Sequence, residues 1–101
     1  MAREQFQTLT EPMYYVLLAL IDERCGVDIM ARVDEISEGR VAIGPGTLYS
    51  LLPKLEKSDF IEKTREEGRQ KWYIITQRGR DLLVTEIARM ERQLADSRGI
   101  L

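Results

Sequence analysis

One cysteine, Cys25, and no histidine leave this 101-residue chain little with which to do covalent chemistry. The commonest general base is missing, and neither a Ser/His/Asp nor a Cys/His arrangement can be assembled. Zinc would need carboxylates almost alone, against its preference for sulfur and imidazole. No metal, no cofactor and no enzymatic activity are expected. Gly44 and Gly46 lack the later glycine and lysine of a phosphate-cradling loop. What remains is the chemistry of charge and hydrogen bonding, concentrated in two stretches. Residues 44–58 carry Gly46, Thr47, Tyr49, Ser50, Lys54 and Lys57, and residues 60–75 carry Arg65, Arg69 and Lys71. Lysine and arginine neutralise phosphates, hydroxyls reach base edges or backbone oxygens, and small residues permit close approach to a groove. A solvated helix face followed by a hairpin charged for solubility has the same composition, so the elements around these residues must decide.

The net charge of −2 hides an uneven distribution. Residues 1–39 sum to −5, residues 40–80 to +4 and residues 81–101 to −1. The basic excess thus falls on the stretch that holds the candidate contacts, where it matters more than the total. Apolar residues at 44% and charged residues at 32% suit one globular domain. The longest apolar run, residues 13–21, is far short of the roughly 20 residues that cross a bilayer. Residues 1–10 are polar, unlike a secretory signal. With a lone cysteine that cannot form an internal disulfide, a reducing, cytoplasmic location is expected and no membrane partner.

The elements that position these residues can be placed from caps and periodicity. Thr10-Glu11-Pro12 reads as a helix start, and the helix over 12–21 is apolar almost all round. Such a helix must be covered on more than one side, by its own chain or by a second subunit. After a turn at 22–26, Ile29, Met30, Val33 and Ile36 mark an amphipathic helix over 27–38, closed by Gly39. Residues 40–43 suit a short bridging strand. Gly44-Pro45-Gly46 then opens a helix over 45–57 whose core face is Leu48, Leu51, Leu52 and Leu55. The solvent face holds the hydroxyls, small residues and lysines. Pro53 lies on that face and predicts a kink.

Strands are expected over 60–65 and 70–75, joined by a loop at 66–69 with Gly68 in it. Thr76 is a good N-cap for a last helix over 77–97. Leu83, Ile87, Met90 and Leu94 form a near-heptad seam along it. A helix of some 20 residues spans roughly 30 Å, so part of the seam needs a partner to cover it. The order is that of a winged helix-turn-helix. The fold class is mainly α with a small β-wing, plus a long C-terminal dimerisation helix. Residues 1–76 form the winged-helix region and 77–101 the dimerisation helix, in one compact domain.

The sequence resembles the PadR family of bacterial transcriptional regulators, in particular its short members with a single C-terminal helix. The resemblance runs over residues 8–95. It rests on residues 9–20 of the first helix, on Gly26-Val27-Asp28-Ile29-Met30 and on Gly44-Pro45-Gly46-Thr47-Leu48-Tyr49. Leu52, Leu55-Glu56, Phe60-Ile61, Gly68-Arg69-Gln70-Lys71-Trp72-Tyr73 and Thr76-Gln77-Arg78-Gly79 complete it. It implies a homodimer, with Met13, Tyr14 and Leu17 of the first helix and Leu83, Ile87, Met90 and Leu94 of the last at the contact. It also implies repression through a palindromic double-stranded DNA operator. Gly46, Thr47, Tyr49 and Ser50 would face DNA at the start of the recognition helix, and Lys54, Lys57, Arg65, Arg69 and Lys71 would serve phosphates. An unidentified small-molecule effector is left open.

Two departures limit the carry-over. Pro53 stands where the family commonly has a polar or basic residue. The last helix also has no aromatic residue, so drug binding between C-terminal tryptophans is not expected, and Trp72 reads as packing. A winged-helix protein-interaction module without DNA binding is the alternative, favoured by the overall acidity and by Pro53.

Overall fold

The structure, a computed structural model, describes residues 9–101. The polar N-terminal stretch 1–8, including that part of the predicted first region, lies outside the described residues. Four helices and a small antiparallel sheet follow in the order α1 (Glu11–Ala19), β1 (Arg24–Cys25), α2 (Gly26–Ser37), α3 (Pro45–Lys57), β2 (Ile61–Glu67), β3 (Gln70–Ile75) and α4 (Gln77–Ser97). The strand order is β1-β3-β2.

Thr10 caps α1 as expected, its hydroxyl accepting from the Met13 amide at 3.3 Å. Val16, Leu17, Ala19 and Leu20 are buried, α1 lying against α2 and α4, while Tyr14, Tyr15 and Leu18 are half-buried. In α2 the residues Ile29 and Val33 carry the burial, with Met30 and Ile36 at its margin. Glu38 and Gly39 both take positive φ, 53° and 79°, and end the helix sharply.

The bridging strand is not at residues 40–43, where the sequence placed it, but at Arg24–Cys25 inside the expected turn. Arg24 pairs with Tyr73 and Cys25 with Trp72. Two hydrogen bonds fix this short strand. The Arg24 guanidinium donates to the Ala19 carbonyl at 2.7 Å, and the Ile75 amide donates to the Leu20 carbonyl at 2.8 Å. Val41 and Ile43 instead sink into the core. Their segment needs no ladder partner because buried Ser37 serves it: its hydroxyl donates to the Val33 carbonyl at 2.8 Å and accepts from the Val41 amide at 3.1 Å.

The third helix has the predicted bounds. Leu48, Leu52 and Leu55 are buried, and Leu51 is half-buried at the edge of the face. The helix passes through Pro53 unbroken. The hydrogen bond that Pro53 forgoes lies on the exposed face, where water can replace it. The hairpin is longer than expected: Glu66 pairs with Lys71 and Glu67 with Gln70, so the loop shrinks from 66–69 to Gly68-Arg69. Gly68 has φ 59°, the pattern of a tight two-residue turn with glycine first. A bulge between Lys63 and Arg65 interrupts the ladder. Thr64, the extra residue, donates from its hydroxyl to the Glu23 carboxylate and so ties the wing to the turn just before β1.

The last helix is capped by Thr76, whose hydroxyl accepts from the Gly79 amide at 3.0 Å. Leu83 and Glu86 are its most buried large residues, and beyond Met90 the helix is almost wholly exposed. Among the described residues no helix is long and apolar enough to cross a membrane.

Candidate nucleic-acid interface

The N-terminal half of α3 buries Leu48 and turns its other face to the outside. Gly46, Thr47, Tyr49 and Ser50 are all exposed, as are Pro53, Lys54 and Lys57 further along. A Cβ added at Gly44 or Gly46 would meet nothing within 4 Å, so this end is open for an approaching surface. Tyr49 is 55% exposed, yet it is not free. Its phenol lies over Gly26: a Cβ there would overlap Oη and stand 2.9 Å from Cζ. The ring is thereby steered across the start of α2 toward the wing.

The wing divides its cations into two kinds. Lys63 donates to Glu66 at 2.7 Å. This hydrogen bond holds the Glu66 carboxyl below its ordinary range and raises the Lys63 ammonium. Arg65 stacks over the Trp72 ring, 3.8 Å from its centroid, and lies 3.6 Å from Glu67. Trp72 is therefore a half-buried platform for an arginine of its own wing, in keeping with a packing role. Arg69 and Lys71, by contrast, have no ion-pair partner within 4.0 Å among the described residues. They share a cleft of about 270 Å³ with Tyr49, Gly26 and Tyr73. The fold thus brings Tyr49, Arg69 and Lys71 together and sets Lys54 and Lys57 apart, at the far end of α3. Burial is the main cause that pushes the Tyr73 hydroxyl upward.

Three groups on the elements around α3 are not evident from the sequence. Gly26 reads there as a helix opener and nothing more. Tyr73 alternates with half-buried neighbours, Trp72 and Ile74, as any strand residue would. Arg78 reaches back from α4 to the end of α3, donating to the Ser58 carbonyl at 3.1 Å.

Away from the wing, α1 and α4 flank a second groove of about 250 Å³ between Tyr14, Tyr15, Glu86 and Met90. Glu86 is only 1% exposed. Its carboxylate accepts from Arg89, through Nε at 3.2 Å and through Nη2, and from the Leu9 amide at 3.2 Å. Arg89 holds this carboxyl below its ordinary range against the opposing effect of burial. Periodicity alone could not separate Glu86 from the solvated acids of the same helix. Of the seven residues expected at a subunit contact, Met13, Leu17 and Leu83 are occupied by the chain's own core. Tyr14, Ile87 and Met90 are half-buried, and Leu94 is 54% exposed.

The chain resembles known proteins over this same architecture. It is 38% identical over 78 residues to an uncharacterized 37.1 kDa protein in transposon TN4556 of Streptomyces fradiae, covering 76% of this chain and 22% of that one. It is 38% identical over 76 residues to the HTH-type transcriptional regulator SarZ of Staphylococcus epidermidis, covering 73% and 47%. The chain therefore spans less than half the length of either sequence relative. A PadR-like transcription factor from Bacteroides fragilis shares the fold, with a TM-score of 0.75 at 24% identity, over 89% of each chain. The profile of the transcriptional regulator PadR-like family matches residues 16–85, the stretch from the middle of α1 to the first turns of α4. With the winged-helix order of its elements and a family match over most of its length, the chain belongs to the PadR-like family of transcriptional regulators.

Proposed function

We propose that this protein is a homodimeric DNA-binding repressor that recognises a palindromic operator in the cytoplasm. One observation carries the reading: the exposed start of α3 and the two unpaired wing cations, Arg69 and Lys71, lie on the same side of the molecule around one cleft. In this reading α3 enters the major groove, with Gly46, Thr47, Tyr49 and Ser50 toward the bases. Lys54, Lys57, Arg69 and Lys71 neutralise phosphates, and Arg65, held by Trp72, adds charge beside them. The likeness to SarZ, a helix-turn-helix regulator, supports the same reading.

Residues 1–76 serve as the reading region and 77–101 as the dimerisation helix. The subunit contact uses Tyr14, Ile87, Met90 and Leu94, the apolar groups that the chain's own core leaves uncovered. A dimer also fits a two-fold operator, one recognition helix per half-site. Light scattering at micromolar concentration should return the mass of two chains. Salt titration of operator binding should give a log–log slope of roughly −5 if about six phosphates are contacted per dimer. A monomer, or an affinity indifferent to salt, would contradict the reading. Repression itself is tested by a reporter placed behind the selected operator, whose output should fall when the protein is supplied.

A further inference from the structure

The end of α3 and the start of α4 meet at the foot of the wing. The short turn Ser58-Asp59-Phe60 closes α3, with Asp59 at φ 64°. The first turn of α4 and its cap grip this turn. The Thr76 hydroxyl donates to the Asp59 carbonyl at 2.6 Å, and the Thr76 amide to the Phe60 carbonyl at 3.0 Å. Gly79 lies so close to the Phe60 carbonyl that a Cβ would overlap its oxygen. Arg78 is the exposed member of the joint. Its guanidinium donates to the Ser58 carbonyl at 3.1 Å and stands 5.4 Å from the centroid of the Phe60 ring. Ser58 is the C-cap of α3, where the helix dipole is negative and carbonyls lack partners within the helix, so a cation is well placed there. Arg78 has no ion-pair partner within 4.0 Å among the described residues, so no carboxylate draws it away. Beyond the joint, α4 rests on α1 and β3.

We propose that Arg78 is a positioning residue for DNA recognition: by holding α4 to the end of α3, it sets the half-site spacing that the dimer accepts. This rests on the reading of the chain as a dimeric DNA-binding protein. The Thr76 and Gly79 contacts fix where the two helices meet. The Arg78 contact, made to a different carbonyl, fixes the angle between them. That angle matters because α3 reads the groove while the seam of α4 joins the subunits. From Arg78 to Met90 the helix runs about 18 Å at 1.5 Å per residue, so a tilt of about 10° at the joint moves the seam by about 3 Å. One base pair rises about 3.4 Å. A loose joint therefore lets each reading helix wander by about one base pair, and a tight one selects a single spacing. Arg78 does this without touching bases, so it acts on the distance between half-sites and not on their sequence.

The test uses the full chain, Arg78→Ala and Arg78→Lys, with duplexes that carry the selected half-sites at the preferred spacing and one base pair longer or shorter. A duplex with one half-site is the control. The wild type should favour its preferred spacing about tenfold. Arg78→Ala should lose about fivefold at that spacing and little at the others, so the preference falls to about twofold. Its affinity for the single half-site and its salt slope should stay unchanged, because α3 itself is intact. Arg78→Lys keeps the charge but not the planar fork, and should recover part of the preference. Without DNA, residual dipolar couplings of the α3 and α4 amides should fit one common alignment in the wild type, and two in Arg78→Ala. Two results would overturn the proposal. One is a spacing preference and a common alignment that survive in Arg78→Ala. The other is a weaker single half-site with a flatter salt slope, which would make Arg78 a direct phosphate contact. A wild type that binds no duplex would overturn the DNA reading and the spacing role together, while the couplings, read without DNA, still decide whether Arg78 holds the joint.

Discussion

Tyr49 on α3 occupies the space that a side chain on Gly26 would need: an ideal Cβ at that position would overlap its Oη and stand 2.9 Å from its Cζ. The first residue of α2 therefore sets where the exposed aromatic group of α3 can lie. The clash involves the far end of an exposed side chain, not backbone, so relief is cheap. Gly26→Ala should change stability by no more than about 0.5 kcal/mol, since Tyr49 swings away and the helix gains a better residue. Operator affinity and sequence preference should both change. Thermal melts and operator titrations on the same preparation check this; a strongly destabilised variant would contradict it.

Gly79 gives the opposite balance. A Cβ there would overlap the Phe60 carbonyl oxygen and stand 2.7 Å from Ile75 Cγ1. Backbone cannot swing aside as Tyr49 can. Gly79→Ala should cost about 3 kcal/mol, at the upper end of ordinary overpacking, because the start of α4 must lift off the wing. Urea unfolding measures it directly.

Base readers and phosphate contacts should separate by salt and by sequence. Arg69→Ala combined with Lys71→Ala should weaken binding to all duplexes alike and flatten the salt slope by about 0.9 for each phosphate no longer neutralised. Thr47→Ala or Tyr49→Ala should alter the preferred sequence with little change of slope. Anisotropy titrations over a salt series distinguish them, and an unchanged preference in the α3 variants would remove that face from the reading surface.

Glu86 makes stability depend on acid. Its folded-state value is lowered from the ordinary 4.5, first by Arg89. A group depressed in this way contributes stability that is fully present above its unfolded value and is lost as the pH falls through the folded value. Unfolding free energy should therefore drop as the pH falls below about 4.5. Glu86→Gln should remove part of that drop and cost about 2 kcal/mol near neutral pH, leaving Arg89 and the Leu9 amide poorly matched. Denaturant titrations across the acid range check both the slope and its disappearance in the variant.

These features differ in how far local sequence reveals them. Pro45–Lys57 is legible because a breaker cluster and a four-leucine period mark it from both ends. Gln77–Ser97 is legible because Thr76 is a good cap and the seam is regular. The strand at Arg24–Cys25 is not: two residues carry no period, and their partners lie in β3, far along the chain. The extended segment at Val41 resembles a strand because β-forming residues there point into the core, while Ser37 supplies the missing partner. In the wing, the cationic composition is legible, but which cations stay unpaired is not. That depends on the bulge at Thr64 and on Trp72 facing Arg65 across the ladder.

The most direct test of the central claim is selection of duplexes from a random pool by the full chain at low salt. The expected result is enrichment of a two-fold symmetric site, its half-sites one helical turn or a multiple apart, as a dimer presenting two α3 helices requires. A pool that stays random, or a single asymmetric half-site bound by one chain, would contradict it.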